Sequence, residues 1–245
     1  MTLSPDRYLD HIRSEAAAMS TAARAGRLDA RVPGCPDWSV YDLIAHTSGV
    51  HRWAAEMVRT RASRPVSRRQ MPPAPDGAAV VDWFDRGATE LVIALEEAGP
   101  DVEVWNWSSD SRSVFWFRRQ AQETAVHRWD AESAHGPPQP IPTTLALDGI
   151  EELLSLWVPG LAAGQDGAGL GGSFHLHATD DDGEWTIQSR GGAVIIESGH
   201  GKADAAIRAP ASDLLLFLWG RPVEAAVEMF GDEAIPTRWR EQVRI

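Results

Sequence analysis

A carboxylate and an imidazole, Glu123 and His127, stand four residues apart in the stretch 118–130. In a helix of 3.6 residues per turn, this spacing places both side chains on one face, about 40° apart. The neighbouring residues are mostly small or apolar, so we expect the pair to be buried, where each group needs a strong partner. A divalent cation held by both side chains would supply that partner.

A third ligand must come from another part of the chain, and His46 is the best candidate. It lies in a predicted helix whose inward positions, including Leu43 and Val50, are otherwise apolar. Two histidines and one carboxylate suit zinc, and the same set also suits non-haem iron. Three protein ligands leave a coordination position open, as in catalytic rather than structural zinc sites. Asp130, three residues after His127, is either an orienting partner of that histidine or one half of a surface ion pair.

Other reactive side chains each allow two interpretations. Cys35 precedes a predicted helix N-terminus, a position that favours a reactive thiolate, but a small buried cysteine is the preferred interpretation. Arg221, next to Pro222, either clamps a carboxylate in bidentate fashion or is an ordinary cation at a helix C-terminus. His175 and His177 alternate along one strand face, where they either bind a metal or, as we prefer, belong to a solvated sheet face.

Amphipathic helices in the N-terminal half of the chain are predicted to position the candidate ligands His46, Glu123 and His127. The first begins at Pro5, with Ser4 as its N-cap. The second follows a predicted loop at 31–38 and begins with a capping box formed by Ser39 and Asp42.

The third predicted helix is capped by Asp76 and ends at Gly99, and the fourth runs from about Ser113 to Ala134. Four helices of comparable length with short connections indicate a four-helix bundle. The core of such a bundle hosts metal sites through side chains that project inward from facing helices.

A proline-rich linker at 137–143 divides the chain into predicted domains at 1–136 and 144–245. The second domain begins with a predicted helix at 145–161 and a glycine-rich loop at 164–172. Strand-like runs follow, separated by Asp-Asp-Gly and Gly-Gly turns that are typical of hairpins. We therefore predict an α+β protein of two domains, with a mainly antiparallel sheet in the small C-terminal α+β domain.

The composition narrows the classes of partner. The chain has 23 Lys and Arg against 35 Asp and Glu, a net charge of −12, which argues against nucleic acid and anionic membranes as partners. No apolar run is long enough to span a bilayer, and the first nine residues do not resemble a signal peptide. The single cysteine excludes an intrachain disulfide. We expect a cytoplasmic enzyme, a monomer or homodimer, acting on a small anionic or electrophilic substrate.

Three motifs resemble those of the mycothiol-dependent maleylpyruvate isomerase family. The opening motif is similar to residues 33–46 (PGCPDWSVYDLIAH), and the second motif to residues 118–132 (RRQAQETAVHRWDAE). The block that closes the family's C-terminal domain is similar to residues 209–221 (APASDLLLFLWGR). The resemblance spans nearly the whole chain. It implies a DinB-like four-helix bundle followed by an α+β domain related to sterol-carrier folds.

The resemblance also implies roles for residues and cofactors. His46, Glu123 and His127 would bind a divalent metal, preferably Zn²⁺, and Arg221 would reach the active site to hold a substrate carboxylate. Mycothiol would be the thiol cosubstrate. A metal lowers the pKa of a bound thiol, and the resulting thiolate can add to an activated small carboxylate substrate. In an isomerase, rotation and elimination then convert a cis double bond into a trans one.

Two other functions remain open at this point. One is a mycothiol S-transferase of detoxification or secondary metabolism, which would release the thiol adduct. The other is a non-catalytic protein whose C-terminal domain binds an apolar or anionic ligand, with the helices as scaffold and tryptophan-rich walls around the ligand.

Overall fold

The computed structural model describes residues 2–158, 171–190, 193–223 and 226–242. The end of the helix predicted at 145–161, and all but the last two residues of the predicted glycine-rich loop, lie outside these ranges. The chain forms two compact units, Thr2–Gln139 and Pro140–Ile245. The fold is α+β, as predicted.

The N-terminal unit is a four-helix bundle. Its helices are α1 Pro5–Ala25, α2 Val40–Arg59, α3 Ala79–Ala98 and α4 Val114–Ser133. Helix α1 packs against α4, and α2 packs against α3, with further contacts between α2 and α4. Apolar side chains of all four helices form the core, which includes Tyr8, Met19, Leu43, Phe84 and Trp116.

Two of the predicted helix starts are confirmed. The Ser4 hydroxyl accepts a hydrogen bond from the backbone N–H of Arg7. The capping box is present at α2, where the Ser39 side chain accepts from the Asp42 N–H and the Asp42 carboxylate accepts from the Ser39 N–H. This box fixes the N-cap of α2, Ser39, seven residues before His46.

The prediction that Asp76 caps the third helix is wrong. Helix α3 begins at Ala79, and its N-cap residue, Ala78, makes no side-chain capping bond. Gly77 adopts a positive φ of 63°, which glycine tolerates, and this turn separates Asp76 from the helix.

The predicted loop at 31–38 contains a short antiparallel pair, so the loop prediction is wrong for these residues. Strand β1 is Arg31–Val32 and strand β2 is Cys35–Ser39, paired as Arg31 with Ser39 and Val32 with Cys35. Strand β1 is too short to show a period-2 pattern, and burial does not alternate along the five residues of β2. The pair holds Cys35 and Trp38 just before α2.

Helix α4 buries more polar side chains than any of the other three helices of the bundle. The buried polar residues on this helix are Arg119, Gln120, Gln122, Thr124, His127, Arg128 and Asp130. One of them anchors α4 to α1, since Arg128 Nε donates to Glu15 Oε2 over 2.6 Å. Buried charges need partners of this kind. The buried polar side chains of α4 therefore indicate that this helix carries a functional site.

The C-terminal unit is the predicted small α+β domain. Helix α5, Thr143–Glu152, continues into a π-helical turn at Leu153–Trp157. The remaining elements are strands β3 Ser173–Ala178, β4 Glu184–Arg190, β5 Ala193–Ser198, β6 Ala205–Ala209 and β7 Glu228–Gly231, with helices α6 Ala211–Leu218 and α7 Ala234–Gln242. Strand β7 and its pairing with β6 were not predicted.

The strands form one sheet in the order β5-β4-β3-β6-β7. The β3–β6 pair is parallel, and the other three pairs are antiparallel, as a mainly antiparallel sheet requires. One face of the sheet is buried through Phe174, Leu176, Ile187 and Ile207. Among the described helices of both units, none combines the length and apolar character that a membrane crossing needs.

Candidate metal centre

The structure brings together the three side chains that the sequence singles out as metal ligands. His46 lies on α2, and Glu123 and His127 lie one turn apart on α4. One ligand atom from each residue lies within 4.8 Å of the other two. The cluster therefore joins two helices that the chain connects through residues 60–113, which include α3.

The spacing of these atoms suits a tetrahedral cation. Ligand atoms at about 2.1 Å from a tetrahedral zinc ion are roughly 3.4 Å apart. Glu123 Oε1 lies 3.4 Å from His46 Nε2 and 3.4 Å from His127 Nε2. The donor set of two imidazoles and one carboxylate fits a divalent transition metal and leaves a coordination position for another molecule.

Asp130 orients His127. Its Oδ2 lies 3.0 Å from His127 Nδ1, and the carboxylate is fully buried. A carboxylate there keeps a proton on Nδ1 and directs the lone pair of Nε2 towards the cluster, as in the carboxylate–histidine pairs of metal sites. Of the two interpretations of Asp130, the surface ion pair is therefore wrong, because the residue has no exposed surface.

Glu123 is an anion in this environment. Burial alone would raise its pKa, but hydrogen bonds from His127 and His46 outweigh that effect and hold the pKa well below its ordinary value. Arg119, one turn earlier on α4, places Nη2 at 3.5 Å from Glu123 Oε2. The carboxylate thus directs Oε1 towards the histidines and Oε2 towards a guanidinium.

His127 is held as a cation when no metal is bound. Burial lowers the pKa of a histidine, but the hydrogen bonds with Asp130 and Glu123 raise that of His127 to about 9. At neutral pH an incoming cation must therefore displace a proton from this ring.

Trp38 and Cys35, from β2, complete the surroundings. The Trp38 ring lies 4.6 Å from that of His46 and 6.2 Å from that of His127, centroid to centroid, and so forms an apolar wall beside both histidines. Cys35 Sγ lies 3.9 Å from Asp130 Oδ2, behind the orienting carboxylate. Cys35 thus contacts the carboxylate that orients His127 and is not one of the three side chains of the cluster.

His51, one and a half turns after His46 on α2, packs in the core near the cluster. It is fully buried, its ring lies 5.5 Å from that of Phe84, and its Nε2 is 3.0 Å from Thr124 Oγ1. Burial lowers the pKa of His51 to about 4, so this ring is neutral. The Thr124 contact packs His51 against the residue that follows Glu123.

Arg221, the predicted substrate clamp, belongs to the C-terminal unit. It follows Gly220, whose φ is +75°, and lies directly after α6. Its Nη1 donates to the Trp219 carbonyl over 3.0 Å, and only 6 % of the residue is exposed. The backbone and side chain of Arg221 are therefore well fixed, and its role towards a substrate stays a prediction.

Sequence reasoning did not identify Arg119 and Trp38 as parts of the centre. The signal for Arg119 was available, because it precedes Glu123 by four residues and a basic residue one turn away can pair with a carboxylate. Trp38 gave no comparable signal, since its position depends on the short β1–β2 pair.

Comparisons with known proteins agree with this architecture. Residues 9–132 match the family model described as the mycothiol maleylpyruvate isomerase N-terminal domain, and residues 144–238 match the model described as the MDMPI C-terminal domain. None of the curated proteins compared with the chain matches it.

Two solved structures have a similar fold. A mycothiol-dependent maleylpyruvate isomerase matches with a TM-score of 0.63 and 14% sequence identity, over 94% of this chain and 95% of that one. A histidine-to-alanine mutant of a protein of that description matches with a TM-score of 0.62 and 12% identity, over the same shares of the two chains. At these identities the likeness concerns the fold.

Proposed function

Because the chain belongs to the mycothiol maleylpyruvate isomerase family, we propose that it is a metal-dependent enzyme that uses mycothiol to isomerise a small activated carboxylate substrate. The arrangement of His46, Glu123 and His127 carries this proposal. Their ligand atoms converge within 4.8 Å, at spacings that suit a divalent cation such as zinc. The open coordination position is the feature that a catalytic role requires.

A divalent cation, when bound, would lower the pKa of a thiol at the open position, so that thiolate is present at neutral pH. Asp130 supports this by holding the Nδ1 proton of His127, which keeps Nε2 available as a ligand. Trp38 keeps one side of the site apolar, which strengthens electrostatic interactions there.

The proposed reaction is a reversible addition. The mycothiol sulfur forms a bond to one carbon of a cis double bond conjugated to a carbonyl, and the π electrons move to the carbonyl oxygen as an enolate. The former double bond is then a single bond and can rotate. Collapse of the enolate expels the thiolate and leaves the trans isomer. We propose that Arg221 binds a substrate carboxylate in bidentate fashion, for which a guanidinium is well shaped.

The direct test is to follow maleylpyruvate by NMR with zinc-loaded protein, with and without mycothiol. We expect cis-to-trans conversion that depends on mycothiol and is lost in the His127→Ala variant. Conversion that is equally fast without the thiol would contradict the thiol-dependent step. Accumulation of a stable mycothiol conjugate would replace the isomerase by an S-transferase, and absence of any reaction would favour a ligand-binding protein.

The remaining expectations on cellular context are part of the same proposal. A low-molecular-weight thiol such as mycothiol needs reducing surroundings, which is compatible with the expected cytoplasmic location and with a chain whose single cysteine, Cys35, forms no intrachain disulfide. A monomer or homodimer is expected, and the size of the purified protein in solution decides between them.

A further inference from the structure

A second cluster of metal-binding side chains lies entirely in the C-terminal unit. It consists of His175 on β3, Glu184 on β4 and His200, which follows β5. One ligand atom from each of these residues lies within 4.8 Å of the other two. The cluster shares no residue with the centre in the bundle.

The sheet register explains why these side chains meet. His175 pairs with Thr186 and His177 pairs with Glu184 across the β3–β4 ladder, so these four side chains share the face opposite to the buried one. After β5, Gly199 adopts a φ of +100°, and the chain turns so that the His200 ring lies 5.3 Å from the His175 ring. The turn thus brings a third donor onto two neighbouring strands.

The backbone after His200 lies close against the sheet. A Cβ atom added at Gly201 would lie 2.5 Å from Thr186 Oγ1, which is too close for any side chain. Glycine at this position therefore permits the approach that keeps His200 over β3 and β4.

His175 has a buried nitrogen that a solvated sheet face does not explain. Only 5 % of the residue is exposed, and its Nδ1 lies 3.2 Å from Thr186 Oγ1. Its Nε2 is buried and has no hydrogen-bond partner among the described residues. Leaving a buried polar atom unpaired is costly, and a cation bound at Nε2 would remove that cost.

Each carboxylate oxygen of Glu184 lies close to a histidine nitrogen. Oε1 lies 2.6 Å from His177 Nδ1, and Oε2 lies 3.3 Å from His200 Nδ1. The second distance is close to the spacing of about 3.4 Å between two ligands of a tetrahedral zinc ion. The first is the kind of outer hydrogen bond that orients a ligating carboxylate, and Thr186 provides the same support for His175.

We propose that His175, Glu184 and His200 form a second binding site for a divalent transition metal of the zinc class. Ions of this class bind readily to two imidazole nitrogens and one carboxylate oxygen, whereas magnesium and calcium prefer oxygen ligands alone. A bound ion would cross-link β3, β4 and the turn after β5. The site is independent of the proposed catalytic function, because its ligands and their supports all belong to the C-terminal unit.

The test uses untagged full-length protein in which His46→Ala and His127→Ala remove the first site. After treatment with a chelator, this background variant is titrated with zinc chloride by calorimetry. We expect saturable binding of one zinc ion per chain. Adding His200→Ala is expected to weaken that binding by roughly tenfold or more, since even supporting residues of metal sites cost tenfold to 100-fold in affinity.

Folding does not confound this comparison, because 82% of the His200 side chain is exposed. Glu184→Gln is a second variant that should weaken zinc binding in the same background. His135→Ala serves as the matched control, because this histidine belongs to neither cluster, and it should leave the affinity unchanged. The proposal is overturned if the background variant shows no saturable zinc binding, or if His200→Ala and Glu184→Gln both bind as tightly as the background.

Discussion

In the proposed metal site, His127 carries a proton that an incoming metal ion would have to displace. The hydrogen bonds to Asp130 and Glu123 outweigh the effect of burial and raise its pKa to about 9. Metal binding requires the neutral ring, so proton and metal compete for the same nitrogen. The groups that orient the ligand thus also make the affinity of the site depend on pH.

This competition predicts the pH dependence of zinc binding. Below pH 9 the metal-free ring of His127 is protonated, so the zinc affinity should rise by about tenfold per pH unit and level off as the pH passes 9. Competition with a chelator between pH 7 and 9 measures the effect, in a His200→Ala variant whose second cluster has lost one of its three proposed ligands.

Asp130→Asn provides the control for that measurement. It removes the hydrogen bond that contributes most to raising the pKa of His127, so the dependence on pH should become shallower over the same range. A zinc affinity that does not change with pH in the His200→Ala protein would show that His127 is not a ligand.

At the level of single residues, the sequence predicts which three side chains come together better than it predicts their surroundings. The pairing of Glu123 with His127 follows from helical spacing alone, and His46 stands out as a polar residue on an apolar face. Trp38 could not be predicted in the same way, because its contacts depend on how β2 lies against α2 and α4.

Helices α2 and α3 approach each other closely at Gly87. Arg52 of α2 donates through Nη2 to the Trp83 carbonyl over 2.7 Å, and its guanidinium lies 4.1 Å from the centre of the Trp83 ring. A Cβ atom at Gly87 would lie 2.2 Å from Arg52 Nη1 and 2.8 Å from Ser48 Oγ. The absence of a side chain at Gly87 therefore allows the two helices to pack around a buried arginine.

Replacement of this glycine should destabilise the bundle. Gly87→Ala forces Arg52 out of its contacts and is expected to lower the free energy of unfolding by about 1 to 3 kcal/mol. Urea denaturation of the metal-free protein measures the change.

Gly49→Ala is the matched control, because an added Cβ at this position on α2 meets no atom within 4 Å. In open space alanine is the better helix residue, so this variant should be more stable by about 0.5 to 1 kcal/mol. Equal effects of the two substitutions would contradict the packing described for α2 and α3.

Among the elements, those with a local chemical signal were predicted best. Helix α2 has its capping box at the predicted residues because Ser39 and Asp42, only three residues apart, bond to each other through both backbone and side chains. Asp76 was mistaken for a cap because its position relative to α3 depends on the turn at Gly77. Strand β7 was missed since its four residues are defined by pairing with β6, which is distant in the sequence.

On the scale of the whole molecule, the chain combines a helical unit that carries the proposed metal ligands with an α+β unit that carries Arg221. The family models cover both parts, at residues 9–132 and 144–238. The order of the two units followed from the change in sequence pattern around the proline-rich linker. The proposed reaction requires a contribution from each unit.

A substitution of Arg221 tests whether the C-terminal unit contributes to binding of the substrate carboxylate. Arg221→Lys retains the charge and loses the bidentate geometry, so we expect KM for the carboxylate substrate to rise by about tenfold to 100-fold while the bound zinc stays the same. Steady-state kinetics and metal analysis of the same preparation measure both quantities.

Arg208→Lys is the control for that experiment, because 53% of the Arg208 side chain is exposed on β6. It should leave KM unchanged. An unchanged KM in Arg221→Lys would remove this residue from the substrate site.

The central claim is that His46, Glu123 and His127 hold a metal whose open position accepts a thiol. Cobalt(II) tests it most directly, because a thiolate bound to cobalt produces a sulfur-to-metal charge-transfer band in the near ultraviolet. In cobalt-loaded His200→Ala protein, we predict that mycothiol produces this band and that adding His127→Ala abolishes it. No band with mycothiol, or a band that persists in the His127→Ala protein, would contradict the account.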